Sequence, residues 1–328
     1  MRLLTLAVAM VAGLQVGAAQ ADTSLRIGTV VPATSVQGQA VTRFAEIVNA
    51  GDAGIRIELF HGGQLGEGSR QAENVRMGIQ DGFTDDLTFF MQFSSGLRIA
   101  NIPFLFEDRA HFESWLQSRA FEEAIDEVVA DGRQRLITGN ELWWRGPFRV
   151  LVATKPILTL QDVSTMRLRL WNSETIMRFW GEGGLGANIA NIAWSEVYLG
   201  LSQGVIDAVT SPFDLVESMK FGEVAKHIML FDEYPQVLVL SLNEDKWSGL
   251  SDDQRTAVID AWSEAGRFYN ETVEGNVTGW RSGLESQGVT FHEFDRGPFI
   301  AKVREINAKL ISEGYWSGAQ KEFIKSQQ

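Results

Sequence analysis

At 328 residues, 45% hydrophobic and 22% charged, the chain has the length for two domains around large buried cores and the composition of ordinary globular material. Its formal charge of −13, from 42 Asp and Glu against 29 Lys and Arg, argues against phosphate-backbone binding, so no nucleic-acid partner is expected. It has no cysteine, which excludes disulfides, thiolate chemistry and cysteine zinc sites.

The chain opens with Arg2, an apolar run over 3–16 and the small-residue sequence Ala19-Gln20-Ala21. This pattern predicts a signal peptide over 1–21, cleavage after Ala21 and a periplasmic mature chain beginning at Asp22. The apolar run is too short for a comfortable membrane anchor, which needs about 18 residues or more. Residues 25–30 read as a strand, a turn follows over 32–35, and Ala40, Phe44, Ile47 and Val48 mark one helix face. Residues 55–60 form the next strand, and the glycine-rich stretch 62–66 precedes a helix with Ala72, Val75 and Ile79 inward. A strand is predicted over 83–90, helices over 109–118 and 120–130, and extended stretches over 134–143 and 147–154, with a domain crossing between the last two.

Residues 166–212 carry the densest pattern. Arg167 and Arg169 alternate with Leu168 and Leu170 as in a strand, and a helix follows with Ile176, Met177 and Trp180 on its apolar stripe. Glycines over 181–186 break it, a second helix carries Val197 and Leu201, and an apolar strand spans 205–209. The order strand, helix, strand, helix, strand builds a parallel sheet whose loops meet at its carboxyl edge. Residues 237–242 are a further strand. Ser251 to Gln254 form a capping box for a long helix, in which Gly275, Gly279 and Gly283 predict a bend or break. A last helix is expected over 298–311, closed by Gly314.

Three motif matches fail on context. Gly181, Gly183 and Gly186 fit G-x-G-x-x-G, but a helix precedes them and a strand follows, the reverse of a dinucleotide fingerprint. Ser202 within Gly200 to Gly204 fits G-x-S-x-G, but at a helix end rather than a strand-to-helix elbow. His61, His111, His227 and His292 lie far apart in sequence, so no metal site and no cofactor is expected.

The stretch 166–212 resembles the signature of the solute receptors of tripartite ATP-independent periplasmic (TRAP) transporters, the DctP family. The likeness lies in the Arg-bearing strand, Leu185-Gly186-Ala187, Ser195-Glu196-Val197-Tyr198, and Leu201 followed by Gly204-Val205-Ile206-Asp207. It extends over nearly the whole mature chain and includes Arg149, twenty residues before Arg169. The resemblance implies an α/β, two-domain periplasmic-binding-protein fold, type II-like, with a long helix bracing both domains. The expected division is 22–146 plus about 236–275 in one domain and 147–235 plus about 276–328 in the other. It also implies capture of a small organic acid for TRAP membrane subunits, without chemistry, by a monomer.

In that family the later arginine pairs with the ligand's carboxylate, a role that falls to Arg169, with Arg149 as second contact or orienter; a guanidinium offers a planar fork that matches a carboxylate. Asn172, Trp194 and Ser211 match further ligand positions. At Ser211 and Trp171 the sequence departs from the family's usual Asn and Pro, and Phe213 follows. The rings of Trp171, Trp194 and Phe213 suggest a flat or compact hydrophobic carboxylate, against which the loops 32–35 and 85–90 would close. The alternatives are an exported enzyme acting on a carboxylate, with Glu196 or Asp207 as base, and a ligand-sensing partner of a membrane receptor.

Overall fold

The computed structural model describes residues 23–316 and 318–327; the expected leader and its cleavage point lie outside the described residues. Among the described residues twelve strands form two sheets. They are β1 (Thr23–Gly28), β2 (Ile55–Phe60), β3 (Gly82–Asp86), β4 (Gln134–Ile137), β5 (Trp143–Trp144), β6 (Val150–Ala153), β7 (Arg167–Leu170), β8 (Asn188–Asn191), β9 (Ala208–Ser211), β10 (His227–Met229), β11 (Val237–Asn243) and β12 (Thr290–His292). The first sheet runs β2-β1-β3-β11-β4, with β5 also paired to β11, and the second runs β12-β10-β6-β9-β7-β8.

Helical crossovers join parallel pairs in both sheets, and β10 also pairs in parallel with β12. β1 pairs in parallel with β2 and β3, and β7 with β8 and β9, as the alternation of strand and helix patterns requires. The chain changes sheet three times, last through a long helix between β11 and β12, and before that by the segments between β5 and β6 and between β10 and β11. These two crossing segments are bonded to each other: Arg145 N–H donates to Gln236 O at 3.2 Å, Arg149 N–H to Tyr234 O at 3.3 Å, and Glu233 N–H to Arg149 O at 3.1 Å.

A third connection is the helix Asp252–Ser286, 35 residues and about 52 Å long at 1.5 Å per residue. Ser251 and Gln254 close its capping box. Its amino-terminal half packs on the first sheet's side, where Trp262 stacks on Trp143 at 3.9 Å and meets Phe44 edge-on. Its carboxyl-terminal half reaches the second, where Trp280 meets Phe213. The helix is unbroken, so the break that Gly275, Gly279 and Gly283 suggested does not occur. A Cβ at each of these glycines would meet nothing within 4 Å, while Val273, Trp280 and Leu284 are buried on the packed face. Tertiary burial there outweighs a propensity cost of about 1 kcal/mol per glycine.

Three local expectations are corrected. The strand expected over 83–90 ends at Asp86, because the Asp86 carboxylate accepts from Thr88 N–H and starts a 3-10 helix, Leu87–Gln92. The stretch 134–143 is two strands, separated by Gly139 at φ +69. The final helix, Gly318–Ser326, had no counterpart in the sequence pattern. It packs against Arg119–Ala130 and Gly96–Asn101, and Gln320 Nε2 donates to Ser95 Oγ at 2.8 Å. The chain end therefore lies against helices that flank the first sheet.

Candidate ligand-binding cleft

Between the sheets lies a cavity lined by residues at the carboxyl ends of the parallel strands. Val30 and Val31 follow β1; Asp85 and Asp86 end β3, with Thr88 and Phe89 just beyond. From the second sheet come Arg169 in β7, Trp171 after it, Trp194 after β8, and Pro212 and Leu215 after β9. Arg145, Arg149 and Gln236 enter from the crossing segments. Open sheets place ligands at this edge because the loops of neighbouring strands converge there.

The cavity continues into a second space sharing Val30, Phe89, Arg169, Trp171 and Trp194, walled by Gly62, Gly63, Gly66 and Glu67. Gly62 and Gly63 have φ of +62 and +72, so this wall of the cleft is a turn that a side chain would strain.

Arg169 is 6% exposed and forms no salt bridge among the described residues. Its Nε donates to Ile192 O at 3.0 Å and its guanidinium carbon lies 5.1 Å from the Trp194 ring centroid. Its two terminal nitrogens have no hydrogen-bond partner among the described residues. Burial, together with the neighbouring Arg149 charge, pushes its pKa down to about 9 against the opposing pull of Glu67, so it remains charged at neutral pH.

Arg149 is bound on several sides. It donates to Gln236 Oε1 at 2.9 Å, to Thr210 O at 2.5 Å and to Thr210 Oγ1 at 2.9 Å, and lies 3.5 Å from Glu233 Oε2. The rings of Trp171 and Tyr234 flank it at 5.3 and 5.5 Å. Burial raises the Glu233 carboxyl to about 7 against the opposing pull of Arg149 and a hydrogen bond from Trp180 Nε1 at 2.7 Å.

Arg145 lies 3.5 Å from Asp85 and donates to Gln37 Oε1. Burial opposes its charge, but Asp85, Asp214, Tyr269 and Asp86 together raise its pKa. Burial likewise pushes Asp85 up to about 6 and raises Asp86 and Asp214, with Arg145 working against the shift in all three.

The sequence profile of bacterial extracellular solute-binding protein family 7, DctP, matches residues 27–315. The chain belongs to this family. A solute-binding protein of Roseobacter denitrificans is 26% identical over 94% of this chain and 93% of its own length. The 2,3-diketo-L-gulonate-binding periplasmic protein of Escherichia coli K12 is 26% identical, covering 89% of each chain. Among solved structures, a TRAP periplasmic solute-binding protein of R. denitrificans with bound L-galactonate superposes with a TM-score of 0.82. It is 23% identical, covering 94% of this chain and 99% of its own. Another, from Sulfurospirillum deleyianum with bound succinate, gives 0.79 at 20% identity, covering 94% and 99%. These structural likenesses establish the two-lobed DctP fold.

Of the site residues expected from sequence, this DctP-family cleft brings together Arg169, Arg149, Trp171 and Trp194. Three fall elsewhere. Asn172 is exposed and lines an adjoining pocket with Arg98 and Glu174, while Ser173, not Asn172, occupies the helix cap. Ser211 is fully buried and its hydroxyl donates to Pro212 O at 2.8 Å. Phe213 is a core ring, edge-on to Trp280 at 6.3 Å and Phe291 at 6.0 Å, because the turn at Pro212 opens a helix, Phe213–Ser218, that packs on the long helix.

The residues expected as a base in the enzymatic alternative are engaged outside the cavity. Glu196 accepts from Ala193 N–H at 3.2 Å, and Asp207 receives both Arg167 Nε and Nη2, at 3.0 and 2.7 Å. The histidines supply one surprise: His227 Nδ1 and His292 Nε2 meet at 3.0 Å across β10 and β12. Among the described residues no three His, Cys, Asp or Glu gather as a metal site.

Sequence reasoning missed Arg145, Gln236, Glu233 and Asp214, and named Asp85 and Asp86 only as part of a loop. A signal was available for some of them. Glu233 and Gln236 are polar residues in the otherwise mostly apolar run 228–242, and a polar residue held in such a run is held for a partner.

Proposed function

We propose that this solute-binding protein captures a small organic acid in the periplasm and delivers it to TRAP membrane subunits, working as a monomer and performing no chemistry itself. The observation that carries this reading is Arg169: a buried guanidinium at the sheet edge that, among the described residues, forms no salt bridge and leaves its two terminal nitrogens unpartnered. A carboxylate docking there would replace the missing counterion and relieve the charge that burial and Arg149 disfavour. Relatives named for 2,3-diketo-L-gulonate and C4-dicarboxylates, and fold neighbours holding galactonate, glucuronate or succinate, support an acid as the ligand class.

In this reading one domain comprises the first sheet and the other the second, and ligand contacts from both favour the closed arrangement. The crossing segments and the long helix supply the hinge. A thermal-shift screen over carboxylates and sulfonates tests the proposal: a ligand at 100 times its Kd should add about 2.7 kcal/mol of stability. Turnover of an acid by the purified protein, with no acid raising its melting temperature, would overturn it.

A further inference from the structure

We propose that His227 and His292 form a two-histidine chelate for a divalent transition-metal ion of the zinc, nickel or copper class, at the edge of the second sheet and outside the ligand cleft. The observation that carries it is the approach of two ring nitrogens. His227 Nδ1 and His292 Nε2 stand 3.0 Å apart, with ring centroids at 5.2 Å and ring planes inclined at 41°. Two imidazole nitrogens each bonded to one metal at about 2.0–2.1 Å stand about 2.9 Å apart at a right angle and about 3.3 Å apart at a tetrahedral one, so the pair already has the bite of a chelate. Neutral imidazole suits this class of ion, whereas magnesium and calcium take oxygen ligands.

The backbone fixes the spacing. β10 and β12 run parallel with His227 opposite Thr290 and Met229 opposite His292, so the two histidines are diagonal neighbours on one face of the sheet. Backbone bonds close the pairing at both ends, Thr290 N–H to Lys226 O at 2.8 Å and Leu230 N–H to His292 O at 3.0 Å. β12 is the edge strand and both histidines are half-buried, which leaves an ion a way in from solvent. The adjoining cation, Lys226, is turned to Gly222 O at 2.6 Å and Gln287 O at 3.1 Å, and Arg281 lies over the Phe291 ring at 4.6 Å. Lys226 and Phe291 each adjoin a histidine along the chain and so take the other face. Among the described residues no third His, Cys, Asp or Glu joins the pair, so water supplies the remaining positions of an open site.

Without metal, one of the two nitrogens donates to the other. When metal binds, the donor ring takes its other tautomer, with its N–H on the far nitrogen, and the broad χ2 torsion of histidine lets both lone pairs turn to one ion. β12 receives the chain from the long helix and β10 leads it into a crossing segment, so a metal here cross-links two of the three connections between the sheets.

Calorimetry with Zn2+ on the tag-free protein at about pH 7.5, where imidazole is mostly neutral, tests the proposal, with Mg2+ as the control. Zn2+ should bind and Mg2+ should give no heat. His227→Gln and His292→Gln should each weaken Zn2+ binding at least about tenfold, since even outer-shell changes at metal sites cost about 10- to 100-fold. Zn2+ should raise the melting temperature of the wild type with increasing concentration, because the unfolded chain lacks the preformed pair, and should do so in neither variant. Ring NMR of the four histidines needs no substitution: Zn2+ should shift His227 and His292 and leave His61 and His111 in place. Absence of Zn2+ binding, binding unchanged in both variants, or shifts confined to His61 and His111 would overturn the proposal and leave the pair as a hydrogen bond between two rings. The NMR result decides the matter even if a variant does not fold.

Discussion

Arg145 and Arg169 line one cavity and are almost equally buried, at 4% and 6% exposure, so burial does not distinguish them. Their company does. Arg145 is surrounded by Asp85, Asp86 and Asp214, and its charge is held more firmly than in water. Arg169 has a carbonyl, an indole face and a second arginine close by, with Glu67 too far to form a salt bridge, and its charge is held less firmly. The first has its charge balanced within the protein and ties a crossing segment to the first sheet. The second is incomplete, and the cleft is arranged so that a ligand completes it. A buried cation thus reads as structural or as receptive according to its counterions.

Paired alanine variants give the largest effects and break the comparison if they behave alike. Arg145→Ala leaves three buried carboxylates without their cation, and should cost about 3–5 kcal/mol of folding stability in urea denaturation. Arg169→Ala removes a group with a single protein hydrogen bond, so stability should change little. Ligand affinity should instead fall by about 2–5 kcal/mol, roughly 30-fold to several-thousand-fold in Kd by calorimetry. Arg169→Lys should recover part of that loss, since a point charge replaces the fork. If Arg169→Ala destabilises the fold as severely as Arg145→Ala, the distinction between the two sites is lost.

Arg149 stands between these extremes, and its partner Glu233 supplies a pH test. Burial raises the Glu233 carboxyl from its ordinary 4.5 to about 7, so the folded state binds more protons than the unfolded chain between those values. Stability from this group is therefore fully present below about 4.5 and is lost as pH rises through about 7, a change of about 3 kcal/mol. Glu233→Gln keeps an acceptor for Trp180 Nε1 and removes the titration. Its stability relative to wild type should rise across that window in denaturation curves at successive pH values. Parallel curves for the two proteins would show that Glu233 keeps an ordinary pKa.

The contrast between the arginines was only half legible in the sequence. The alternation over 166–212 predicted the parallel strands β7, β8 and β9 and put Arg169 at their carboxyl edge, because period and order are local properties. What makes Arg169 receptive is that no carboxylate forms a salt bridge with it among the described residues, Glu67 acting only from the far wall, and no local pattern records that. Arg145 went unnoticed for the same reason: its partners Asp85 and Asp214 lie 60 and 69 residues away in sequence. The rings were read by adjacency to other site positions, and adjacency says nothing about which way a side chain turns after Pro212. The glycines of the long helix were read by propensity, which the burial of Trp280 and Leu284 overrode.

The smallest predicted effects test the two rings that the sequence treated alike. Trp194 is half-buried, lies beneath the Arg169 guanidinium at 5.1 Å, and meets Phe221 edge-on at 5.4 Å. Its face is thus occupied by the cation, and its contribution to binding is to hold the fork in place rather than to offer a free surface to a flat ligand. Trp194→Leu should lower affinity by about 0.5–2 kcal/mol, the range of a cation–π contact from exposed to desolvated, or about 2- to 30-fold in Kd. Phe213 is 4% exposed, with its ring against Trp280 and Phe291 and away from the cavity. Phe213→Leu keeps most of the apolar volume and should cost about 1 kcal/mol of stability while leaving Kd unchanged. Measuring both quantities for both variants places each ring. If Phe213→Leu weakens binding as much as Trp194→Leu does, Phe213 reaches the ligand in the bound state. The sequence's pairing of the two rings would then hold for the ligand-bound cleft.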